Sequence, residues 1–331
     1  MIRRGFLRFA GGASAALLPT FGAAQQSRLR NVRIGALIST RPGELESRQQ
    51  LAALESGLRD LGWIQGENLT LDARWFGGDP ALMEKYADEL VESRPDLLIS
   101  RSDPALRALL KRTDSIPIVF VVVADPVGNG LVRSLSRPGG NATGFSNAEA
   151  SLAEKFPEIL SELDPGISHI TILSHPETLA TVTFTPHVET AARARGLTTS
   201  SVSIRGAEDI RSAIEAAAHR QRSGLVVLPS IVTSAYWQQI IDTAFQHRVP
   251  AIYPFGFFAR QGGLVSYGLD VPHLFKQAGA YANRILRGTH PGELPVQQPS
   301  KFELVINLRT AAALGLTVQR TMQLRADELV E

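Results

Sequence analysis

The sequence predicts an α/β protein built from two doubly wound, parallel-sheet domains. Three observations carry this reading. Short apolar runs alternate with stretches whose apolar residues recur every three or four positions. The runs over 116–123 and 224–229 are apolar almost throughout, as strands covered on both faces must be. The rhythm then restarts near 140–147, which divides the 331 residues into two similar halves, each long enough to bury its own core.

Residues 32–38 read as a buried strand. Leu51, Leu54, Leu58 and Leu61 follow on one face of a helix. Residues 69–75 alternate apolar and polar, 96–100 form a short strand, and 116–123 form a long one. Helical patterns fill 79–93, 103–113 and 127–136. After 140–147 come strands at 170–174, 198–204, 224–229 and 249–253, with helices near 149–163, 184–195, 207–222 and 234–247. The chain closes with 263–268, a helix at 272–287, a Pro/Gly-rich passage over 288–299 and a strand at 302–308. Such a βαβα order places helices on both faces of a parallel sheet.

Composition excludes several classes. With 44% hydrophobic and 20% charged residues and a mean hydropathy of -0.00, the chain is neither disordered nor a polytopic membrane protein. Cysteine is absent, which removes disulfides, thiolate metal sites and cysteine nucleophiles. The pI near 9.0 originates in residues 1–24, which hold Arg3, Arg4 and Arg8 and no acid. Without them the formal net charge falls from +2 by three, and nothing favours nucleic acid or anionic lipid. Those residues have the parts of an export signal: a basic start, a modest apolar stretch over 9–18, and Gly22, Ala23 and Ala24 for cleavage. The run RRGFLR is twin-arginine-like, so a periplasmic protein exported by a cleaved N-terminal signal is expected.

Catalytic signals are sparse. Gly128 and Gly130 lack the third glycine of a dinucleotide fingerprint, because Arg133 stands there. No Walker sequence and no G-x-S-x-G elbow occur. The seven histidines form no helical metal-ligand pair, so neither a metal nor a cofactor is expected. In doubly wound folds ligands sit at the carboxyl ends of strands, and that rule selects the candidates. Ser39 and Thr40 follow the first strand; Ser102 and Asp103 follow the third and precede Pro104, where they also suit a helix cap. Asp125 follows the long apolar strand, as a cap or a cleft group. His175 follows 170–174, Ser230 follows 224–229, and Tyr253 opens a cluster with Phe255, Phe257 and Phe258 that suits either a core or a stacking surface.

Several segments also resemble the periplasmic substrate-binding proteins of an ABC-transporter family that includes tryptophan-binding members. They are residues 32–38, GLRDLGW at 57–63, IPIVF at 116–120, DPVG at 125–128 and RPGGNATG at 137–144. Later ones are PAIYP at 250–254, GGLVSYG at 262–268 and PVQQPSKFELVINLRTAAALGL at 295–316. The resemblance implies a type I periplasmic-binding-protein fold, with crossover hinge strands joining lobe one (31–143 plus 260–295) to lobe two (144–259 plus 296–331). It implies a monomer that closes on a small organic solute, an amino acid or other small carboxylate, aromatic ones included, and delivers it to a membrane permease. Ser39, Thr40, Ser102 and Asp103 would act from lobe one, and His175, Ser230 and Tyr253 from lobe two, with Asp125 near the crossover. A periplasmic ligand-sensing module for a receptor kinase is the alternative on the same fold. Two departures stand out. Arg101-Ser102-Asp103-Pro104 replaces a small-residue Thr-Pro turn, and His175-Pro176-Glu177 replaces a commoner Asn-Pro, which changes the polar groups expected at the cleft.

Overall fold

The computed structural model describes residues 31–147, 151–299 and 301–331, so the export signal expected over 1–24 lies outside the described residues. The first sheet takes β1 (Val32–Ile38), β2 (Leu69–Trp75), β3 (Leu97–Arg101), β4 (Ile118–Val123) and β5 (Ala142–Ser146). All are parallel, in the order β2-β1-β3-β4-β5. Between them run α1 (Leu45–Arg59), α2 (Pro80–Glu92) and α3 (Asp103–Leu110). β4 shows why this sheet is central to the lobe. Its six residues IVFVVV are all buried, and each large side chain contributes roughly 1.5–3 kcal/mol on leaving water.

The second sheet collects β6 (His169–Ser174), β7 (Thr198–Ser203), β8 (Ser223–Val227), β9 (Ala251–Phe255), β10 (Val265–Leu269), β11 (Phe302–Asn307) and β12 (Glu328–Val330). Its order is β12-β11-β10-β9-β8-β6-β7, parallel except where β10 meets β11. The helices of this lobe are α4 (Ser151–Leu163), α5 (Leu179–Ala194), α6 (Ala207–Ala218), α7 (Ile231–Ala235), α8 (Trp237–Gln246) and α9 (Gly256–Arg260). α10 (Val271–Leu286) returns to the first lobe, and α11 (Leu308–Ala313) and α12 (Arg320–Arg325) end the second. α10 packs on α1 at glycine distance. An added Cβ on Gly57 would collide with the Lys276 carbonyl oxygen, and one on Gly279 would lie 3.0 Å from the Gly57 backbone.

The chain therefore passes between lobes three times, and each passage falls later than the sequence reading placed it. β5 completes the first sheet through Ser146 rather than ending at 143. β10 pairs with β9 and β11, so 260–269 lie in the second lobe, not the first. Gln297 still bridges Phe145 of β5. Hydrogen bonds fix these boundaries, and hydropathy alone does not register them. The crossovers are tied by side chains. Tyr281 Oη donates to the Pro295 carbonyl at 2.7 Å, and Lys301 Nζ lies 2.7 Å from the Asp270 carboxylate that caps α10.

Two other expectations are corrected. The helix expected over 127–136 is a series of turns. Gly128 and Gly130 interrupt it, and Gly130 stands at φ +67. The two halves are also unequal, with five strands against seven, because the C-terminal segment adds β11 and β12 to the second sheet.

Candidate ligand-binding cleft

In both sheets the strand order reverses at one place, between β1 and β3 in the first and between β6 and β8 in the second. Ligands of doubly wound sheets bind outside the carboxyl ends of the strands at such switch points. Here the two switch points face each other across a cavity of about 220 Å³. Ser39, Arg101, Ser102, Asp103, Pro104, Arg107, Val122, Ala124 and Asn129 line it from the first lobe. Glu177, Thr178, Pro229, Ser230, Ile231, Ser234 and Phe255 line it from the second, and Asn147 lines it at the first crossover.

Arg101 ends β3, a strand buried at every position. Its guanidinium is 5% exposed and donates through Nη1 to Ser39 Oγ at 2.6 Å and through Nη2 to Glu46 Oε1 at 2.7 Å. Glu46 stands in the first turn of α1 and also accepts from Gln50 Nε2 at 2.7 Å. Burial pushes the Glu46 carboxyl up, and the adjacent Arg101 charge pulls it back. Asp103 opens α3. Its Oδ2 accepts from the Ala124 backbone N–H at 3.1 Å and its Oδ1 from Asn129 Nδ2 at 3.2 Å, so it pins the turn after β4. Burial outweighs those hydrogen bonds and pushes its pKa up to about 6.

The backbone on this side is strained. Ser102, at the α3 cap, has φ 97 and ψ 158, a region that nearly excludes residues other than glycine. Val122, β-branched, stands at φ 58, and Asp125 at φ 35. Three buried polar atoms of the lining residues have no protein partner: Arg101 Nε, Ser102 Oγ and Asn147 Oδ1. Strain and unspent hydrogen-bonding capacity gather at functional sites, because a fold kept for stability alone sheds both.

The wall from the second lobe is of another kind. Ser230 Oγ accepts from the Thr233 N–H at 2.9 Å while Thr233 Oγ1 accepts from the Ser230 N–H at 2.9 Å, a complete capping box. Phe255, Pro229 and Ile231 add apolar surface. The lips of the lobes touch at Gly78, where an added Cβ would fall 3.0 Å from Ile231 Cγ2 and 3.7 Å from Ala235 Cβ.

Of the residues expected from the sequence, Ser39, Ser102, Asp103 and Ser230 line the cavity, and four do not. Thr40 is turned under α1, where its Oγ1 accepts from Ser47 Oγ at 2.6 Å. Asp125 is exposed and accepts from the Gly128 N–H at 2.8 Å as a turn cap. His175 sits one turn back, with Nδ1 3.3 Å from Thr178 Oγ1, beside the Glu177 and Thr178 that do reach the cavity. Tyr253 is buried against Phe258, ring centroids 5.0 Å apart, and burial pushes its phenol far up. Phe255, two residues on, reaches the cavity instead. The sequence reading met Arg101 and Glu177 at strand ends beside the cleft without naming them as ligand contacts, and it did not select Arg107, Asn129, Asn147 or Thr178. An arginine closing the run LLIS was the available signal for Arg101.

Among the described residues no cluster of His, Asp or Glu is arranged to hold a metal ion, and no helix is long and apolar enough to cross a membrane. A tyrosine-binding protein of Clostridioides difficile is 25% identical over 274 residues, 82% of this chain and 79% of its own. The structure of a conserved domain protein from Vibrio cholerae superposes with a TM-score of 0.82 at 28% identity, covering 91% of this chain and all of the other. The ABC domain of Streptococcus pneumoniae in complex with L-Trp gives a TM-score of 0.82 at 23% identity, with 91% of this chain covered. The family pattern itself matches residues 37–330. The chain belongs to the ABC transporter substrate binding protein family.

Proposed function

We propose that this protein is exported to the periplasm, closes its two lobes as a monomer on an amino acid or other small carboxylate, and hands it to an ABC permease. The observation that carries the reading is the cavity between the switch points, walled by both lobes, whose lining residues hold Arg101 Nε, Ser102 Oγ and Asn147 Oδ1 without protein partners. At about 220 Å³ it is smaller than the roughly 300–1,000 Å³ of pockets for drug-sized ligands, which favours a compact solute. Relatives described as binding tyrosine and L-Trp support an amino acid. Val122, Phe255 and Ile231 supply an apolar bed for its side chain.

The action is a population shift. A ligand touching both walls adds contacts only when the lobes are together, so it stabilises the closed form that a permease recognises. The leader over 1–24 supplies the export signal. Thermal-shift screening of the twenty L-amino acids, joined to mass spectrometry of solute released from protein purified from its own periplasm, tests the reading. One stoichiometric small molecule that raises the melting temperature is the expected result. No shift from any amino acid, sugar or small carboxylate, with no retained solute, would sink it.

A further inference from the structure

We infer that Arg101 is the specificity-determining residue of the cleft, taking the ligand's carboxylate, and that Glu46 is the positioning residue that holds the guanidinium for that contact. This rests on the solute-binding role proposed above.

Arg101 sits where an apolar side chain would cost less. A buried ion pair is often no more stabilising than well-packed apolar residues of the same volume, so a guanidinium at the end of a wholly buried strand calls for a use. Its arrangement suggests one. Ser39 and Glu46 each take one N–H from the two terminal nitrogens, and Gln50 donates to the same Glu46 oxygen, so the fork is held from one side. Nε is left with no partner although the side chain is 5% exposed and lines the cavity. The planar, rigid donor set of arginine matches a carboxylate, which a lysine in its place would meet only as a point charge.

Of the other charged groups of the cavity, Glu177 stands exposed on the opposite wall, and Arg107 and Asp103 are engaged with their own lobe. Arg107 is exposed and donates to Asn129 Oδ1 at 2.9 Å. Asp103 spends both oxygens on Ala124 and Asn129. α3 meanwhile begins at the cavity with Ser102 as its cap and no side-chain cap bond, so its N-terminal dipole adds to the attraction for an anion beside Arg101.

The test is calorimetry on the whole mature protein with the twenty L-amino acids, the matching L-amino-acid amides, tyramine, tryptamine, D-ribose and myo-inositol. The inference expects a carboxylate to bind at least 100-fold more tightly than its amide or amine. It expects Arg101→Gln to reduce that ratio to below tenfold, and Arg101→Lys to leave an intermediate value. The lysine variant carries the test where the glutamine one does not fold. Glu46→Gln keeps an acceptor for Nη2 and removes the internal counter-charge, so it is expected to raise the carboxylate-to-amide ratio, and a ratio it leaves unmoved overturns the role given to Glu46. A structural role alone would weaken both ligands equally and leave the ratio unmoved. Tight binding of an amine or sugar by the unaltered protein, or a ratio that survives Arg101→Gln, overturns the inference while the solute-binding role stands. Binding of no probe at all overturns both.

Discussion

The two walls of the cleft have nearly the same topology and opposite physical character. Each presents a serine at the start of a helix after a sheet strand. Ser230 makes every bond its position offers, while Ser102 holds a backbone conformation suited to glycine and leaves its hydroxyl unpartnered. Charge differs in degree. The first lobe buries Arg101 and Glu46 together, 5% and 8% exposed, whereas the second lobe's Arg260–Glu303 pair, 19% and 10% exposed, lies away from the cleft and Arg260 also meets the half-exposed Glu328. Strain, the more deeply buried ion pair and unspent hydrogen bonds therefore collect on one wall, and the other is a well-finished surface. On the function proposed above, this divides recognition and closure between the lobes.

The sharpest way to break this contrast is to cut one partner from each ion pair. Glu46→Ala leaves a buried guanidinium uncompensated and is expected to cost about 3–5 kcal/mol in denaturant unfolding. Glu303→Ala leaves Arg260 with Glu328 and water, and should cost clearly less. Equal losses would mean that the walls do not differ in this respect.

Acidity gives the next largest effect, with opposite signs in the two lobes. The Asp103 pKa, pushed up to about 6 from 3.8, means the folded state holds its proton more tightly than the unfolded one. Stability is therefore expected to fall by about 2–3 kcal/mol as pH rises through the window from 3.8 to about 6. Asp103→Asn should flatten that slope. His169, buried at the start of β6 near Arg220, has its pKa lowered from 6.5 by burial first and by the arginine second. Its contribution is present above 6.5 and is lost as pH falls through the lowered value. His169→Gln should remove this component, measured as the difference in melting temperature between mildly acidic and neutral buffers.

The two serines sharpen the comparison at smaller magnitude. Ser102→Gly relieves the backbone and is expected to raise stability by about 1–2 kcal/mol while weakening solute binding. Ser230→Ala removes a cap and should lower stability by about 1 kcal/mol. Two changes of the same sign would contradict the division of roles.

The smallest effect concerns the lips. Gly78→Ala and Gly66→Ala both place a side chain at positive φ, +83 and +84, and each should cost about 1 kcal/mol of stability. Gly66 faces open space, whereas Gly78 faces α7 of the other lobe. Only Gly78→Ala should therefore lower solute affinity, several-fold by calorimetry.

The strands and most helices were legible in the sequence, because burial on both faces writes continuous apolar runs and one-faced burial writes a 3.6 period. The rule that carboxyl ends of strands hold ligands brought Ser39, Ser102, Asp103 and Ser230 to the cavity from sequence alone. It failed where the local chain decides which way a side chain points. Thr40 turns under α1, Asp125 caps its own turn, and Tyr253 packs on Phe258 while Phe255 faces the cavity. Nothing in the local pattern distinguishes these outcomes.

The sequence by itself determined the α/β class, the two-part organisation and the strand ends that border the cavity, since those depend on periodicity and on where strands stop. Only the tertiary structure decided where the chain passes between lobes, and that Glu46 and Arg101, 55 positions apart, share one buried site. Such facts depend on which strands pair and which helix lies over them, and pairing across dozens of residues leaves no local trace in the pattern that one strand or helix must obey.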